Sequence, residues 1–102
     1  MIRVLFVCLG NICRSPMAEA IMRNLIEERG LTSKIKVDSA GTSAAHAGEA
    51  PHRGTRELLK EMNISTSGMK SRQLRTSDLD FDYIVCMDAS NVKNTRDMLH
   101  AH

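Results

Sequence analysis

The stretch that decides the fold is VLFVCLGNICRSP, residues 4–16. Its first four residues are apolar and belong to a run over residues 2–7 that is apolar apart from Arg3, which is typical of a central strand covered on both faces. Five residues then separate Cys8 from Arg14, and Ser15-Pro16 offers an N-cap and a first helical residue. The stretch therefore predicts a strand, a tight loop and a helix start, with a thiol and a guanidinium at their junction.

The composition of this loop indicates an anion site. Five intervening residues can curl so that their backbone N–H groups face inward, as in other anion-binding nests. Arg14 adds a planar fork of donors that matches a phosphate bidentately, and the positive end of the helix points at the same place. Cys8 would lie beneath the anion as a thiolate nucleophile. The predicted phosphate-binding residues are Cys8, Leu9, Gly10, Asn11, Ile12, Cys13, Arg14 and Ser15.

Strand and helix signals alternate along the whole chain. Strands are predicted at residues 2–7, 34–39 and 83–87, helices at 15–29, 51–62 and 90–99, and one helical turn at 76–80. The first helix is expected to bury an apolar face that includes Leu25, with Glu19 on its polar side. This order predicts an α/β fold with a parallel sheet, right-handed crossovers and ligands bound at the carboxyl ends of the strands, where Cys8 lies.

Composition limits the classes of function. A chain of 102 residues fits one domain, predicted over residues 1–102. A net charge of +2, scattered basic residues and 3% aromatics argue against nucleic-acid binding. The longest apolar stretch, residues 4–9, is too short to span a membrane. Three cysteines without zinc-ligand spacing indicate free thiols in the cytoplasm, and predict no metal and no cofactor.

Together these segments resemble the low-molecular-weight protein tyrosine phosphatase family. The similarity is closest over residues 7–19 and continues at residues 37–42, Arg72-Gln73, residues 81–84, Met87-Asp88 and Ser90-Asn91. It implies the flavodoxin-like phosphotyrosine phosphatase I fold, a three-layer sandwich with strand order 2-1-3. It also implies a hydrolase of phosphotyrosine proteins or small aryl phosphates that acts through a phosphocysteine, with inorganic phosphate or sulfate fitting the same loop.

The resemblance implies a role for individual residues. Cys8 would be the nucleophile, Arg14 the phosphate clamp, and Ser15 a hydrogen-bond donor that stabilises the sulfur as leaving group. Asn11 and Ser39 would brace the loop. From the residues alone, Asn11 is expected in the left-handed backbone region, which asparagine tolerates better than most residues.

Other residues near the site keep two interpretations. Cys13 could form a reversible disulfide that protects Cys8 from further oxidation, or could simply pack the loop. Asp88 is predicted to cap the third helix, although its position at the ligand-binding edge also allows approach to the site. Ile12 favours phosphotyrosine, because relatives that resemble arginine phosphatases tend to have threonine there.

The sequence departs from the family pattern at the proton donor. Family members protonate the leaving phenol with an aspartate that precedes a proline, whereas Pro16 and Pro51 follow Ser15 and Ala50. We therefore expect a domain truncated at its C-terminus, without the fourth strand, the last helix and the general acid, and with impaired activity. The predicted strand from Tyr83 to Met87 would then have an uncovered edge, which is expected to allow self-association.

Two alternatives to a tyrosine phosphatase remain open from the sequence. An arsenate reductase of the same fold would need further paired cysteines, and Cys86 has no neighbouring cysteine. A non-catalytic module would bind phosphate or a phosphopeptide without turnover. The wall of the substrate-ring pocket also differs, because Ala45, next to His46, replaces the aromatic residue that many family members have.

Overall fold

A computed structural model describes residues 1–100 of the chain. The strands are β1 (Ile2–Cys8), β2 (Ile35–Gly41) and β3 (Tyr83–Cys86). The helices are α1 (Arg14–Glu28), α2 (Arg53–Glu61) and α3 (Ala89–Leu99), and a 3₁₀ helix (Thr76–Asp80) lies before β3. Each predicted element is present with its predicted type.

The three strands form one parallel sheet in the order β2-β1-β3. This confirms the predicted α/β class and the strand order 2-1-3. Leu5 and Val7 of β1 pack with Leu99 of α3 in one buried cluster. Because side chains alternate along a strand, the residues between them face α1 on the other side of the sheet. The sheet thus lies between helices, as expected for this fold.

The pairing register brings the carboxyl ends of β1 and β2 together. Cys8 is opposite Gly41, the last residue of β2. The loop that follows β1 therefore leaves the sheet beside the end of β2, and turns back into α1. This position is the crevice where parallel sheets bind ligands.

The start of α1 differs from the prediction. The helix begins at Arg14, its N-cap is Cys13, and no side chain of the described residues 1–100 caps it. Ser15 was predicted as the N-cap, but it lies one residue inside the helix and is fully buried. Its hydroxyl contacts the Cys8 sulfur instead of the free N–H groups of the first turn.

The buried side of α1 also differs. Glu19 was expected among the solvent-facing residues, yet its side chain is only 5% exposed. Leu25 was expected on the apolar face and is 42% exposed. None of the helices within residues 1–100 is long and apolar enough to cross a membrane.

Candidate active site

The loop between β1 and α1, residues 9–13, is held from outside through its carbonyl groups. Four carbonyl oxygens each accept a hydrogen bond from a residue elsewhere in the chain. The pairs, acceptor first, are Cys8 with the Thr42 N–H (3.0 Å), Leu9 with the Ser43 N–H (2.9 Å), Gly10 with the Ser71 hydroxyl (2.8 Å) and Ile12 with the His52 N–H (2.6 Å). The carbonyl groups of the loop are therefore turned outward.

Outward carbonyl groups determine where the amide protons point. The peptide bonds of the loop are trans, and a trans peptide unit directs its N–H away from its C=O. Each of the four bonds therefore turns the N–H group of the following residue toward the concave side of the loop. These N–H groups belong to Leu9, Gly10, Asn11 and Cys13, and together they form a nest for an anion.

Gly41 allows this loop to lie directly against the end of β2. A Cβ atom at Gly41 would lie 2.8 Å from the Leu9 carbonyl oxygen and 3.0 Å from the Gly10 carbonyl carbon. Both neighbours are backbone atoms, so a larger residue would displace the loop itself. The absence of a side chain at Gly41 is therefore part of what shapes the nest.

The Cys8 thiol lies buried at the base of the nest, with two groups within hydrogen-bond distance of its sulfur. The Asn11 N–H donates to Sγ at 3.3 Å, and the Ser15 Oγ lies 2.9 Å from Sγ. The Ser15 oxygen already accepts from Asn11 Nδ2 at 2.8 Å. Within residues 1–100 the sulfur is the one acceptor its proton can reach, so Ser15 donates to Cys8. Two donors therefore converge on the sulfur.

Asn11 links the nest to the rest of the protein. Its backbone has φ 55°, the left-handed conformation expected from the sequence. The side-chain oxygen accepts from the Arg72 N–H at 3.0 Å, and Nδ2 donates to Ser15 and, at 2.9 Å, to Ser39. The Ser39 hydroxyl in turn donates to the buried Glu19 carboxylate. Every polar atom of the Asn11 side chain is thus used, and its orientation is determined.

Arg14 lies at the mouth of the nest, and its side chain is half exposed. Its Nη1 donates to Asp88 Oδ2 at 3.1 Å, and the rest of the fork has no acceptor within residues 1–100. Asp88 caps α3, as predicted, by accepting from the Asn91 N–H at 2.8 Å. The hydrogen bond from Asn91 contributes most, followed by those from Arg14 and Ser90, and together they hold the pKa of the Asp88 carboxyl below its usual value. Asp88 is therefore a carboxylate, and in this form it orients Arg14.

A pocket of about 340 Å³ opens above the nest. The loop forms its floor, and Ser43, Ala45 and His46 form one wall. The His46 ring lies so close to Gly10 that a Cβ atom there would be 3.0 Å from Cδ2. His46 Nδ1 lies 2.9 Å from the Glu49 carboxylate, which orients the ring. Ala45 gives this wall no aromatic ring, and the ring of His46 partly takes its place.

The sequence pattern that defines the family of low molecular weight phosphotyrosine protein phosphatases matches residues 3–102 of the chain. The chain belongs to this family. The low molecular weight protein-tyrosine-phosphatase YfkJ of Bacillus subtilis is 59% identical over 99 residues, which are 96% of this chain and 64% of YfkJ. PtpA of Staphylococcus epidermidis is 56% identical over 96 residues, covering 94% of this chain and 61% of PtpA. The chain spans about three fifths of the length of these curated relatives.

Solved phosphatase structures superpose closely on this family member. The crystal structure of YfkJ has a TM-score of 0.95 at 57% identity, and the match covers 99% of this chain and 64% of that one. DARP, an arginine phosphatase from Drosophila, has a TM-score of 0.89 at 41% identity, covering 96% of this chain and 62% of that one. The fold of this part of the family is therefore present here.

The residues predicted for the site are brought together in this member of the family. The eight residues 8–15 form the nest and its two ends, and Ser39 contacts Asn11. Cys8 and Cys13 are both free thiols, the first buried and the second exposed. Their pairing in a disulfide stays a prediction. Within residues 1–100, no group of three metal-ligating side chains could hold an ion.

Sequence reasoning missed several residues that hold the nest. The backbone of Thr42, Ser43 and His52 and the hydroxyl of Ser71 bind its carbonyl groups. Arg72 lies in a segment that resembles the family, but the sequence did not indicate that its N–H binds the side chain of Asn11. A backbone donor carries no sequence signal, because any residue other than proline provides the same N–H group.

Proposed function

We propose that this chain hydrolyses phosphomonoesters through a phosphocysteine on Cys8, with tyrosine phosphate as the substrate class. The observation that carries the proposal is the convergence of two hydrogen-bond donors on the Cys8 sulfur, beneath a nest of N–H groups with Arg14 at its mouth. A reactive thiol requires such a donor-rich setting, whereas a structural thiol lies among apolar atoms. The family relationship supports the same reaction.

The reaction takes two steps. In the first, the Cys8 thiolate attacks phosphorus, an S–P bond forms, and the ester P–O bond breaks with its electron pair going to the leaving oxygen. The nest and the free part of the Arg14 fork bind the three equatorial oxygens, where charge is spread in the transition state. In the second step water attacks phosphorus and forms an O–P bond, the S–P bond breaks with its electron pair returning to sulfur, and the proton that the water loses passes to the solvent. The Ser15 hydroxyl and the Asn11 N–H then stabilise the returning thiolate.

The leaving oxygen needs a proton, and the carboxylate beside the nest is unsuited to supply it. Asp88 is held as a carboxylate by the Asn91 N–H, Arg14 and Ser90, so at neutral pH it has no proton to give. General acid catalysis is typically worth about 10²–10⁴-fold. We therefore expect the 102-residue chain to depend strongly on how easily the leaving group departs.

The test compares an activated aryl phosphate with a phosphotyrosine peptide. With p-nitrophenyl phosphate, whose leaving group departs without a proton, we expect a burst near one equivalent of phenol per chain. The peptide is expected to react about 10²–10⁴-fold more slowly. Mass spectrometry of the quenched reaction should locate phosphate on the peptide that contains Cys8. Absence of both burst and phosphoenzyme would refute the proposal, and faster release from a phosphoarginine peptide would redirect the substrate class.

The two alternatives are less well supported. Arsenate reduction through a relay of thiols needs further paired cysteines beyond those of the loop. Cys86 instead lies at the sheet edge, where its thiol donates to Thr95 Oγ1 at 3.6 Å. A non-catalytic phosphate-binding module would show no burst, so the same experiment separates it from the enzyme.

We also propose the cytoplasm as the compartment of this enzyme. Its three cysteines are free thiols, and a thiolate nucleophile works only while it is reduced. Cell fractionation tests the proposal, since recovery from an oxidising compartment would contradict it.

The outer edge of β3 supports a proposal of self-association. Within residues 1–100, β3 pairs with β1 on one side and with no strand on the other. Tyr83 and Val85 of this strand are 61% and 40% exposed. Unpaired strand edges tend to pair with another chain. Sedimentation velocity should show dimers that increase with concentration and that Val85→Lys removes; a monomer at every concentration would disprove the pairing.

A further inference from the structure

One peptide unit of the nest, between Gly10 and Asn11, is bound from both sides. Its C=O accepts from the Ser71 hydroxyl at 2.8 Å, and its N–H donates to the Cys8 sulfur at 3.3 Å. Because C=O and N–H of a trans unit point in opposite directions, the bond to Ser71 holds the N–H on the sulfur. Ser71 lies 61 residues from Gly10 in the sequence.

This unit has a reason to rotate. Asn11 has φ 55°, a left-handed conformation that costs energy for a residue with a side chain. A flip of the unit would change φ by about 180°, bringing Asn11 into the broadly allowed region at negative φ. Glycine at position 10 lacks the Cβ that would resist the matching change in its own ψ. The flipped unit would present a carbonyl oxygen to the thiolate and repel it.

Ser71 differs from the other groups that hold the nest. Thr42, Ser43 and His52 act through backbone N–H groups, whereas Ser71 acts through its hydroxyl. Within residues 1–100, its side chain is therefore the one clamp on the loop's outward carbonyl groups that a substitution can remove without moving the backbone.

The backbone around Ser71 is independently anchored. The Ser71 N–H donates to the Glu49 carbonyl and the Ser71 carbonyl accepts from the Gly48 N–H, both at 2.8 Å. The Arg72 guanidinium binds Asp78 with two bonds of 3.0 Å and Asp38 with one of 3.2 Å. Ser71 is itself buried. Its hydroxyl is thus presented from a fixed position.

We propose that Ser71 is a positioning residue that keeps the Gly10–Asn11 peptide unit turned so that the Asn11 N–H faces the Cys8 sulfur. Its effect on turnover rests on the proposed phosphatase function, whereas its effect on the ionisation of Cys8 does not. Loss of the hydroxyl releases the carbonyl group, allows the flip and removes a donor from both the thiolate and a bound phosphate.

The experiment uses the full chain with Cys13→Ser, so that Cys8 is the one thiol of the loop. Iodoacetamide alkylation of Cys8 is followed against pH by peptide mass. Ser71→Ala is expected to move the midpoint of alkylation upward by about one pH unit, the scale of one hydrogen bond to a charged group. It is also expected to weaken the binding of inorganic phosphate about tenfold. Ser71→Thr keeps the hydroxyl and should restore both values.

Ser77→Ala, on the exposed 3₁₀ helix, is the matched control and should behave as the parent. An alkylation midpoint in Ser71→Ala equal to that of the parent, in a protein with the parent's circular dichroism, would overturn the proposal. A shifted midpoint that threonine does not restore would also overturn it, since a packing defect would then explain the change. A third outcome separates the two proposals. If the midpoint shifts in Ser71→Ala and returns in Ser71→Thr, but the chain releases no p-nitrophenol from p-nitrophenyl phosphate, the role of Ser71 is supported and the phosphatase function is refuted.

Discussion

Replacement of Cys8 by serine is expected to abolish the turnover of aryl phosphates. A serine hydroxyl ionises far less readily than a thiol and is a much weaker nucleophile, so the attack on phosphorus is lost. The expected loss is about 10⁴-fold or more, the scale seen when an enzyme loses its nucleophile. Steady-state release of p-nitrophenol, with detection low enough to follow a loss of this size, measures the effect.

The same variant should keep the phosphate site. The outward carbonyl bonds and Arg14 do not involve the sulfur, so inorganic phosphate should still bind Cys8→Ser in a calorimetric titration. Cys86→Ser is the matched control, because that thiol contacts Thr95 at the sheet edge and lies outside the nest. Turnover by Cys8→Ser at the rate of the control would show that the nucleophile is another residue.

The second large effect is expected from Arg14→Lys. Lysine keeps the charge and can still pair with Asp88, but it loses the planar fork that binds two phosphate oxygens at once. A lost charge-assisted hydrogen bond is worth about 1.5–3 kcal/mol, so affinity for inorganic phosphate should fall roughly 10- to 100-fold. Because the same bonds strengthen in the transition state, kcat for the aryl phosphate should fall as well.

Arg53→Lys provides the comparison for this substitution. Arg53 lies on α2, its side chain is 82% exposed, and it pairs with Glu57 at 2.8 Å. A surface pair of this kind contributes little, so the variant should bind phosphate as the parent does. Equal phosphate affinity in Arg14→Lys and Arg53→Lys would mean that the fork of Arg14 does not bind the anion.

The fold was largely predictable because its signals are local. An apolar run, a loop of five residues and a helix start lie within residues 4–16, and strand and helix periodicities alternate through the rest. Alternation leads to a parallel sheet, and a parallel sheet puts Cys8 at its ligand-binding edge. The capping of α3 by Asp88 was equally predictable, since a cap depends on residues within one turn.

Ser15 and Glu19 show where local rules fail. Ser15 precedes Pro16 as an N-cap would, yet the helix starts one residue earlier and Ser15 donates to the Cys8 sulfur. Glu19 fits the polar side of α1, yet it is buried because β2 brings the Ser39 hydroxyl against it. In both cases a partner from outside the helix, seven residues away for Ser15 and 20 residues away for Glu19, outweighs a preference of a few tenths to about one kcal/mol.

The sequence by itself therefore determined the class of fold, and the strand order through its family resemblance. It also placed Cys8 and Arg14 at the two ends of one loop, and their roles as nucleophile and phosphate clamp stay predictions. The tertiary structure decided how the nest is held open. Ser71 and Gly10 are 61 residues apart, and their hydrogen bond exists because β2 and the segment after α2 pack beside the loop. Such a bond depends on the distance between two chain segments after folding, and no periodicity within either segment encodes that distance.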